Sequence, residues 1–573
     1  MISDLKINSI DSTYILAELK DPVLSAINKF ASDKLINRIF VHDPTVWTDD
    51  PLAQEEILHR LGWLDLPAAM DKWIIPLEKF RDECLKDGYK YVFVLGMGGS
   101  SLAPEVLSLV LGQTLPADKG LKLKIIDTTN PDEILYLQKT IDLKHTLFLV
   151  SSKSGTTSET LAGFHYFWQE MERVVGVEAC RHFVAITDPG STLEILAKKF
   201  NFRKIFHGEP SVGGRFSVFT LFGLVPASLI GLDLKVICKR AKGMYDRNLP
   251  LVPAVENPGL VLGTYIGEAA RRGFNKLTIV ADQSIEPMGA WLEQLIAESS
   301  GKDGQGILPV AGEPVVDSQH YGNDRLFAYL RLSGDFDEFI EEISLSGHPI
   351  VILNFKDKFD IIGEFYRWEL ATAVACAILK VNAFDQPDVQ ENKSRTKDII
   401  SGYQQTGKLK EGQPIWSNDE ANVFGAHIED IENSSTLSEL LSKFIDGKSP
   451  PEFIAINAFL PRTPEYVVIL DDLRLKILKQ TNCATTLGFG PRFLHSTGQL
   501  HKGGKNEGLF IILTSSSQTD IAIPGEGLTF GTLQKAQALS DLEVLRLRDR
   551  LAIRIHLTSA EPLESLRLLA EKF

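Results

Sequence analysis

What most constrains this chain is a repeated alternation. Short runs that are apolar throughout end in Gly, Ser, Thr, Asp or Pro, and each is followed by a segment with helical spacing. The first cycle reads "YKYVFVLGMGGSS" (89–101), "LKLKIIDTTNPDEI" (121–134), "HTLFLVSSKSGTTSET" (145–160) and "RHFVAITDPGST" (181–192). Strands that alternate with helices form doubly wound parallel sheets. Runs with no polar alternation suit strands covered on both faces. The cycle restarts near 260 with "GLVLGTYIGEAARRG", "NKLTIVADQS", "GAWLEQLIAESSGK", "LFAYLRLS" and "HPIVILNF", then a long apolar helix, "EFYRWELATAVACAILKVN". A third region, with "FIAINAFL", "YVVILDDLRLKIL" and "GLFIILTS", predicts a smaller α/β domain.

The predicted organisation is an N-terminal helical segment over 1–60, whose "PVLSAINKFASDKLINRIF" has amphipathic spacing, and α/β domains at 61–247, 260–400 and 415–573. "NLPLVPAVENPG" (248–259) and "SGYQQTGKLKEGQP" (401–414) read as junctions. A length of 573 residues accommodates several such domains.

A net charge of -15 argues against nonspecific nucleic-acid binding, which needs a positive surface. The five cysteines (Cys84, Cys180, Cys238, Cys376, Cys483) are scattered, so neither a disulfide framework nor a zinc site is indicated, and no metal or cofactor is expected. The start "MISDLKINSI" lacks the features of a signal peptide, and no apolar run reaches the roughly 18 residues that span a bilayer, so no membrane partner and a cytoplasmic location are expected.

Parallel sheets bind ligands at the carboxyl ends of their strands, beside helix N-termini whose free N–H groups favour anions. "SSKSGTTSET" occupies such a place. Ser152, Ser154, Thr156 and Thr157 offer hydroxyl donors, and Gly155 lets the backbone come close. The run reads either as an anion cradle or as a helix-capping turn. It is not a Walker A loop, and "GMGGS" lacks the full dinucleotide spacing. Two more glycine turns, "GMGGSS" and "SVGGRFSVF" with Arg215, fall in the same domain.

Together "GMGGSSLAP", "SSKSGTTSET", "VGGRFS", "LIAESSGK" and "NAFDQPDVQENK" resemble, in order and flavour, the motifs of the phosphoglucose isomerase family, over roughly 60–400. That resemblance implies two SIS-type domains and the interconversion of glucose 6-phosphate and fructose 6-phosphate through an enediol in glycolysis and gluconeogenesis. It also implies a homodimer. Position by position it implies that Ser152, Ser154 and Thr157, with Lys153 beside them, hold the sugar phosphate. Gly99, Ser100, Glu159, Gly214 and Gln386 would line the sugar site. Arg215 would stand by the reacting carbons, and Glu298 would be the base. Lys393, seven residues after Gln386, would be the active-site lysine. The ring-opening histidine is expected between Glu298 and Lys393, with His320 of "DSQHYGNDR" preferred over His348, which reads as a strand entry, and with His495 and His501 left as alternatives.

Beyond 400 the chain resembles the terminal part of proteins in which this isomerase is fused to a transaldolase, although no transaldolase barrel fits. There "FLHSTGQLHKGGKNEG" (493–508), with His495, Gln499, His501 and Lys502, could close over an active site or be a long polar loop. Readings that stay open are an isomerase of another sugar phosphate and a non-catalytic SIS sensor. The sensor would lack the Glu298 and Lys393 motifs.

Overall fold

The computed structural model describes residues 6–8, 11–116, 119–425, 431–447 and 451–573. Residues 1–5 and 9–10 of the expected N-terminal segment lie outside the described residues. Most of the apolar runs become strands, while "GLVLGTYIGEAARRG" and "YVVILDDLRLKIL" fall in helices (Pro258–Arg271 and Pro464–Thr481), and among the described residues the strands form three large sheets and one two-stranded ribbon.

The first sheet holds β3 (Tyr91–Gly96), β4 (Lys122–Ile126), β5 (Thr146–Ser151), β6 (Phe183–Thr187) and β7 (Lys204–His207), all parallel, in the order β4-β3-β5-β6-β7. The second holds β8 (Lys276–Ala281), β9 (Leu308–Ala311), β10 (Arg325–Arg331) and β11 (Ile350–Asn354) in parallel. The N-terminal pair β1 (Lys6–Asn8) and β2 (Ser12–Ile15) extends it antiparallel, with Ile15 opposite Ile350, so its order is β1-β2-β11-β10-β8-β9. The expected N-terminal helices are present at Lys20–Ser32 and Leu35–Phe40, but the segment also lends strands to the second sheet.

The third sheet repeats this plan. β14 (Phe453–Phe459), β15 (Ala484–Phe489), β16 (Gly508–Ser515) and β19 (Leu551–Leu557) are parallel. The pair β12 (Trp416–Ser417) and β13 (Ala421–Gly425) is added antiparallel, giving β12-β13-β19-β16-β14-β15. A small ribbon, β17 (Ala522–Ile523) with β18 (Leu528–Thr529), precedes the last long helix. In all three sheets the second parallel strand lies outside the first, and the chain then crosses to the first strand's other side. A crevice therefore opens between the carboxyl ends of the first and third strands, where such sheets bind ligands.

Five helices bear on the site: α1 (Ser158–Val175), α2 (Met288–Ser300), α3 (Pro387–Thr406), α4 (Gly498–Gly503) and α5 (Phe530–Leu547). α2 ends at Gly301. α3 runs through the first part of the expected junction and stops only at Gly407, whose φ of 69° suits glycine at a helix end. The connector proper therefore begins at residue 407. Arg492 ties the third unit to the first by bonding Glu105 and, at 2.6 Å, Asp127; Arg462 bonds Glu105 at 2.9 Å. Burial alone would raise the Glu105 carboxyl, but the two guanidinium groups outweigh it and hold it at about 2. Among the described residues no helix is long and apolar enough to cross a membrane.

Candidate active site

The "SSKSGTTSET" run leaves β5 and enters α1. Ser152 Oγ lies 3.1 Å from Thr157 Oγ1 and accepts from Gly155 N at 3.1 Å, while Ser154 Oγ pairs with Thr156 Oγ1 at 2.9 Å. These bonds curl the loop around the first turn of α1, where backbone N–H groups have no helical partner. Gly155 has φ +71°, and a Cβ there would stand 2.2 Å from Leu193 N, so only glycine fits. Thr157 is the N-cap residue, yet its side chain does not cap the helix.

Lys153 departs from expectation. Its ammonium bonds Asp188 at 2.6 Å and the Glu209 carbonyl at 3.0 Å, so it is committed to the neighbouring loop rather than to the hydroxyl cradle.

The two other glycine turns of the first unit meet. A Cβ on Gly99 would lie 1.9 Å from the Gly214 carbonyl oxygen, and one on Gly98 would lie 2.6 Å from Gln294 Nε2. Ser100 sits in the same turn, half-buried at the end of β3. This close approach brings Arg215, which is 3% exposed, to the end of α2. Arg215 Nε donates to Ser299 Oγ at 2.8 Å, Nη1 donates to Gln386 Oε1 at 3.0 Å, and Nη2 donates to the carbonyls of Ala383 and Asp385. Its Nη1 lies 3.4 Å from Glu298 Oε1. Glu298 Oε2 accepts from Gln294 Nε2, one helical turn back, at 2.9 Å. Lys302, buried at the end of the "AESSGK" motif, pairs with Asp385 at 2.8 Å. Burial, with Arg215 nearby, pulls its pKa below the usual lysine value.

Glu159, in the first turn of α1, is buried. Its Oε1 lies 3.0 Å from His495 Nε2 and accepts from Gln537 Nε2 at 2.8 Å. Burial raises its pKa, but the charge and hydrogen bond of His495 and the nearby Lys393 outweigh that and hold the carboxyl at about 2. Lys393 is half-buried on α3 and has no hydrogen-bond or ion-pair partner among the described residues. The backbone oxygen of His495 accepts from Gln294 Nε2 at 2.9 Å, so Gln294 links the Glu298 carboxylate to the turn that carries His495.

His320 is not part of this group. Its ring bonds Asn482 Oδ1 at 3.1 Å, beyond β9, and touches none of these residues. The ring nearest the carboxylates is His495, brought in by the third unit on the turn after β15. His348 packs edge-to-face against Phe327 at the entry to β11, in keeping with its reading as a strand entry. The "FLHSTGQLHKGG" stretch divides in function. His495 enters the site, and Gln499 bonds the Gly301 carbonyl and Asp388. Lys502 pairs with buried Asp541 at 2.6 Å. His501 is a core residue against Phe453, Phe493 and Phe510, with neither ring nitrogen bonded. Burial drives its pKa well below the usual histidine value.

Sequence reasoning missed Gln294 and Gln537. The first is detectable as the residue one helical turn before Glu298, on the same face. The second carries no sequence signal, because only the docking of α5 brings it to α1.

A hydroxyl-lined helix terminus at a sheet switch point, two buried carboxylates, a buried arginine, a histidine and an unpaired lysine define an acid–base enzyme for a small anionic substrate. The family model for phosphoglucose isomerase matches residues 85–308. A glucose-6-phosphate isomerase of Carboxydothermus hydrogenoformans is 30% identical over 411 residues, which cover 61% of this chain and 87% of that protein. A probable glucose-6-phosphate isomerase of Methanococcus maripaludis is 28% identical, covering 61% and 86%. In fold, the chain is similar to the crystal structure of a glucose-6-phosphate isomerase from Chlamydia trachomatis (TM-score 0.56, 17% identity, 70% of this chain and 91% of that one). The chain belongs to the phosphoglucose isomerase family. The match to the family model stops before Lys393 and before the sheet that supplies His495.

Proposed function

We propose that this protein is a glucose-6-phosphate isomerase, interconverting glucose 6-phosphate and fructose 6-phosphate, with Glu298 as its base. The observation that carries the assignment of residues is the pairing of Glu298 with Arg215 at 3.4 Å, joined through Gln294 to the turn that carries His495. In this reading the phosphoryl group sits on Ser152, Ser154, Thr157 and the N–H groups of α1, released by hydroxyl and amide donors on each turnover. Gly99, Ser100, Gly214 and Gln386 border the sugar. His495, oriented by Glu159, exchanges a proton with the ring oxygen as the closed sugar opens, and Lys393 faces the same end. Glu298 then takes the proton from C2 and returns it to C1. The electron pair passes through an anionic enediolate, which Arg215 stabilises.

The division into units at 61–247, 260–400 and 415–573, with 1–60 attached to the second, belongs to this proposal. So do a homodimer and a cytoplasmic location, with a role in glycolysis and gluconeogenesis. His495 comes from the same chain as Glu298, so one protomer supplies every group named.

The test is a coupled assay of fructose 6-phosphate conversion on wild type and Glu298→Gln. A positioned base contributes roughly 10²- to 10⁴-fold, so the variant should lose that much in kcat with KM little changed. An inactive wild type, or a variant with full turnover, refutes the assignment.

A further inference from the structure

The third sheet has its own switch-point crevice, and the isomerase reading does not use it. It lies toward the carboxyl ends of β16 and β19, beside Phe459 at the end of β14, and like the hydroxyl cradle of the first sheet it borders the loop that leaves the third parallel strand. A cavity of about 230 Å³ opens there. Its lining includes Thr514, Ser516, Gln534, Lys535, Arg554 and His556. The serine run "TSSSQTD" leaves β16 much as "SSKSGTTSET" leaves β5, and α5 starts beside it.

The side chains in the crevice are built for an anion and only partly satisfied. Arg554 is 1% exposed: its Nη1 donates to Thr514 Oγ1 at 3.2 Å, and its Nε has no partner. Gln534 is 5% exposed, and its Nε2 donates to nothing. Both residues line the cavity, and a buried donor left without an acceptor is costly. His556 Nδ1 lies 3.1 Å from Thr514 Oγ1. Asp520, at the rim, is engaged by Gly531 N at 2.8 Å and by Thr529 Oγ1.

One anion already reaches the cations. Glu411, from the connector that follows α3, pairs with both Lys535 and Arg554. It is the chain's own carboxylate on a short, glycine-flanked segment between Gly407 and Gly412, so little folded structure must move for it to leave.

We propose that this crevice is a second anion site, taking a small phosphate monoester whose phosphoryl group replaces Glu411 on Arg554 and Lys535. A phosphoryl group carries more charge and more acceptor oxygens than a carboxylate. It can therefore satisfy the serine hydroxyls and the Arg554 and Gln534 donors together, where Glu411 reaches only the two cations.

Equilibrium dialysis of the full chain against radiolabelled inorganic phosphate, and separately against glycerol 3-phosphate, tests this. Each probe should bind wild type in two classes of site. Lys535→Gln should lose one class. Glu411→Ala, which removes the competing carboxylate, should keep both and tighten one by about fivefold or more, an ordinary range for losing a partly exposed ion pair. A second class that appears only in Glu411→Ala also supports the site. A single class in all three proteins, or two classes indifferent to both substitutions, overturns it. Glycerol 3-phosphate binding the crevice no tighter than inorganic phosphate assigns it to the free ion and overturns the monoester. Isomerase rates on the same preparations read the other site separately, so either assignment can fail without the other. Should Lys535→Gln not fold, the Glu411→Ala arm still decides.

Discussion

His495 Nε2 stands 3.0 Å from Glu159 Oε1, joining residues 336 positions apart and two different parallel sheets. The contact depends on the docking of the third unit onto the first, through Arg492 and Arg462 on Glu105 and Asp127. The turn that carries His495, from the far end of the chain, thus meets Gln294, the partner of Glu298 on α2.

Exchange of the two candidate histidines separates them. His495→Ala should lower kcat for fructose 6-phosphate conversion by roughly 10²-fold or more, the scale of a lost general acid–base group. His320→Ala should retain wild-type kinetics, since its ring bonds only Asn482. The reverse result would return ring opening to His320.

Acid should expose the Glu159 pair. A carboxyl held at about 2, against an ordinary 4.5, carries stability that is fully present above pH 4.5 and is lost as pH falls through about 2. Urea midpoints of wild type and Glu159→Gln should therefore differ most above pH 4.5 and converge toward pH 2. The slope in that window is at most about 1.4 kcal/mol per pH unit. A gap that does not change with pH would contradict the pairing.

Gly155→Ala should both destabilise the fold and weaken substrate binding. The left-handed backbone costs a residue with a Cβ about 1–2 kcal/mol, and the clash with Leu193 adds to it. On the proposed reading the loop holds the phosphoryl group and no reacting atom, so KM for fructose 6-phosphate should rise more than kcat falls. Unchanged KM in a folded variant would detach the loop from the substrate.

His501→Ala should leave turnover intact while costing roughly 2–4 kcal/mol, as expected for truncating a buried ring among Phe453, Phe493 and Phe510. Thermal melting and the coupled assay, run side by side, give both numbers. A variant that is stable but slow would place His501 in the site after all.

Much of the architecture was legible because its signals are local. An uninterrupted apolar run such as "TLFLV" can be little other than a strand buried on both faces, and "SSKSGTTSET" after it must turn and start a helix. Arg215 and Glu298 could be picked out only through the family resemblance of their motifs, "VGGRFS" and "LIAESSGK". The histidine could not be placed by its interval in the chain. His320 satisfied the expected order along the sequence, but order does not specify distance, and it is the docked third unit that brings a ring, His495, to Glu159. Lys153 misled for a similar reason: it stands in the phosphate loop by sequence, while Asp188 across the loop captures its charge.

The amino-acid sequence by itself determined the strands, the helices and the hydroxyl-lined turn of this protein, since hydrophobic period, glycine and capping residues act within a few positions of one another. Which side chains share a site was decided by the packing of three sheets. An ion pair or hydrogen bond depends on separations of about 3 Å, and a chain of this length sets those only when its distant surfaces come together.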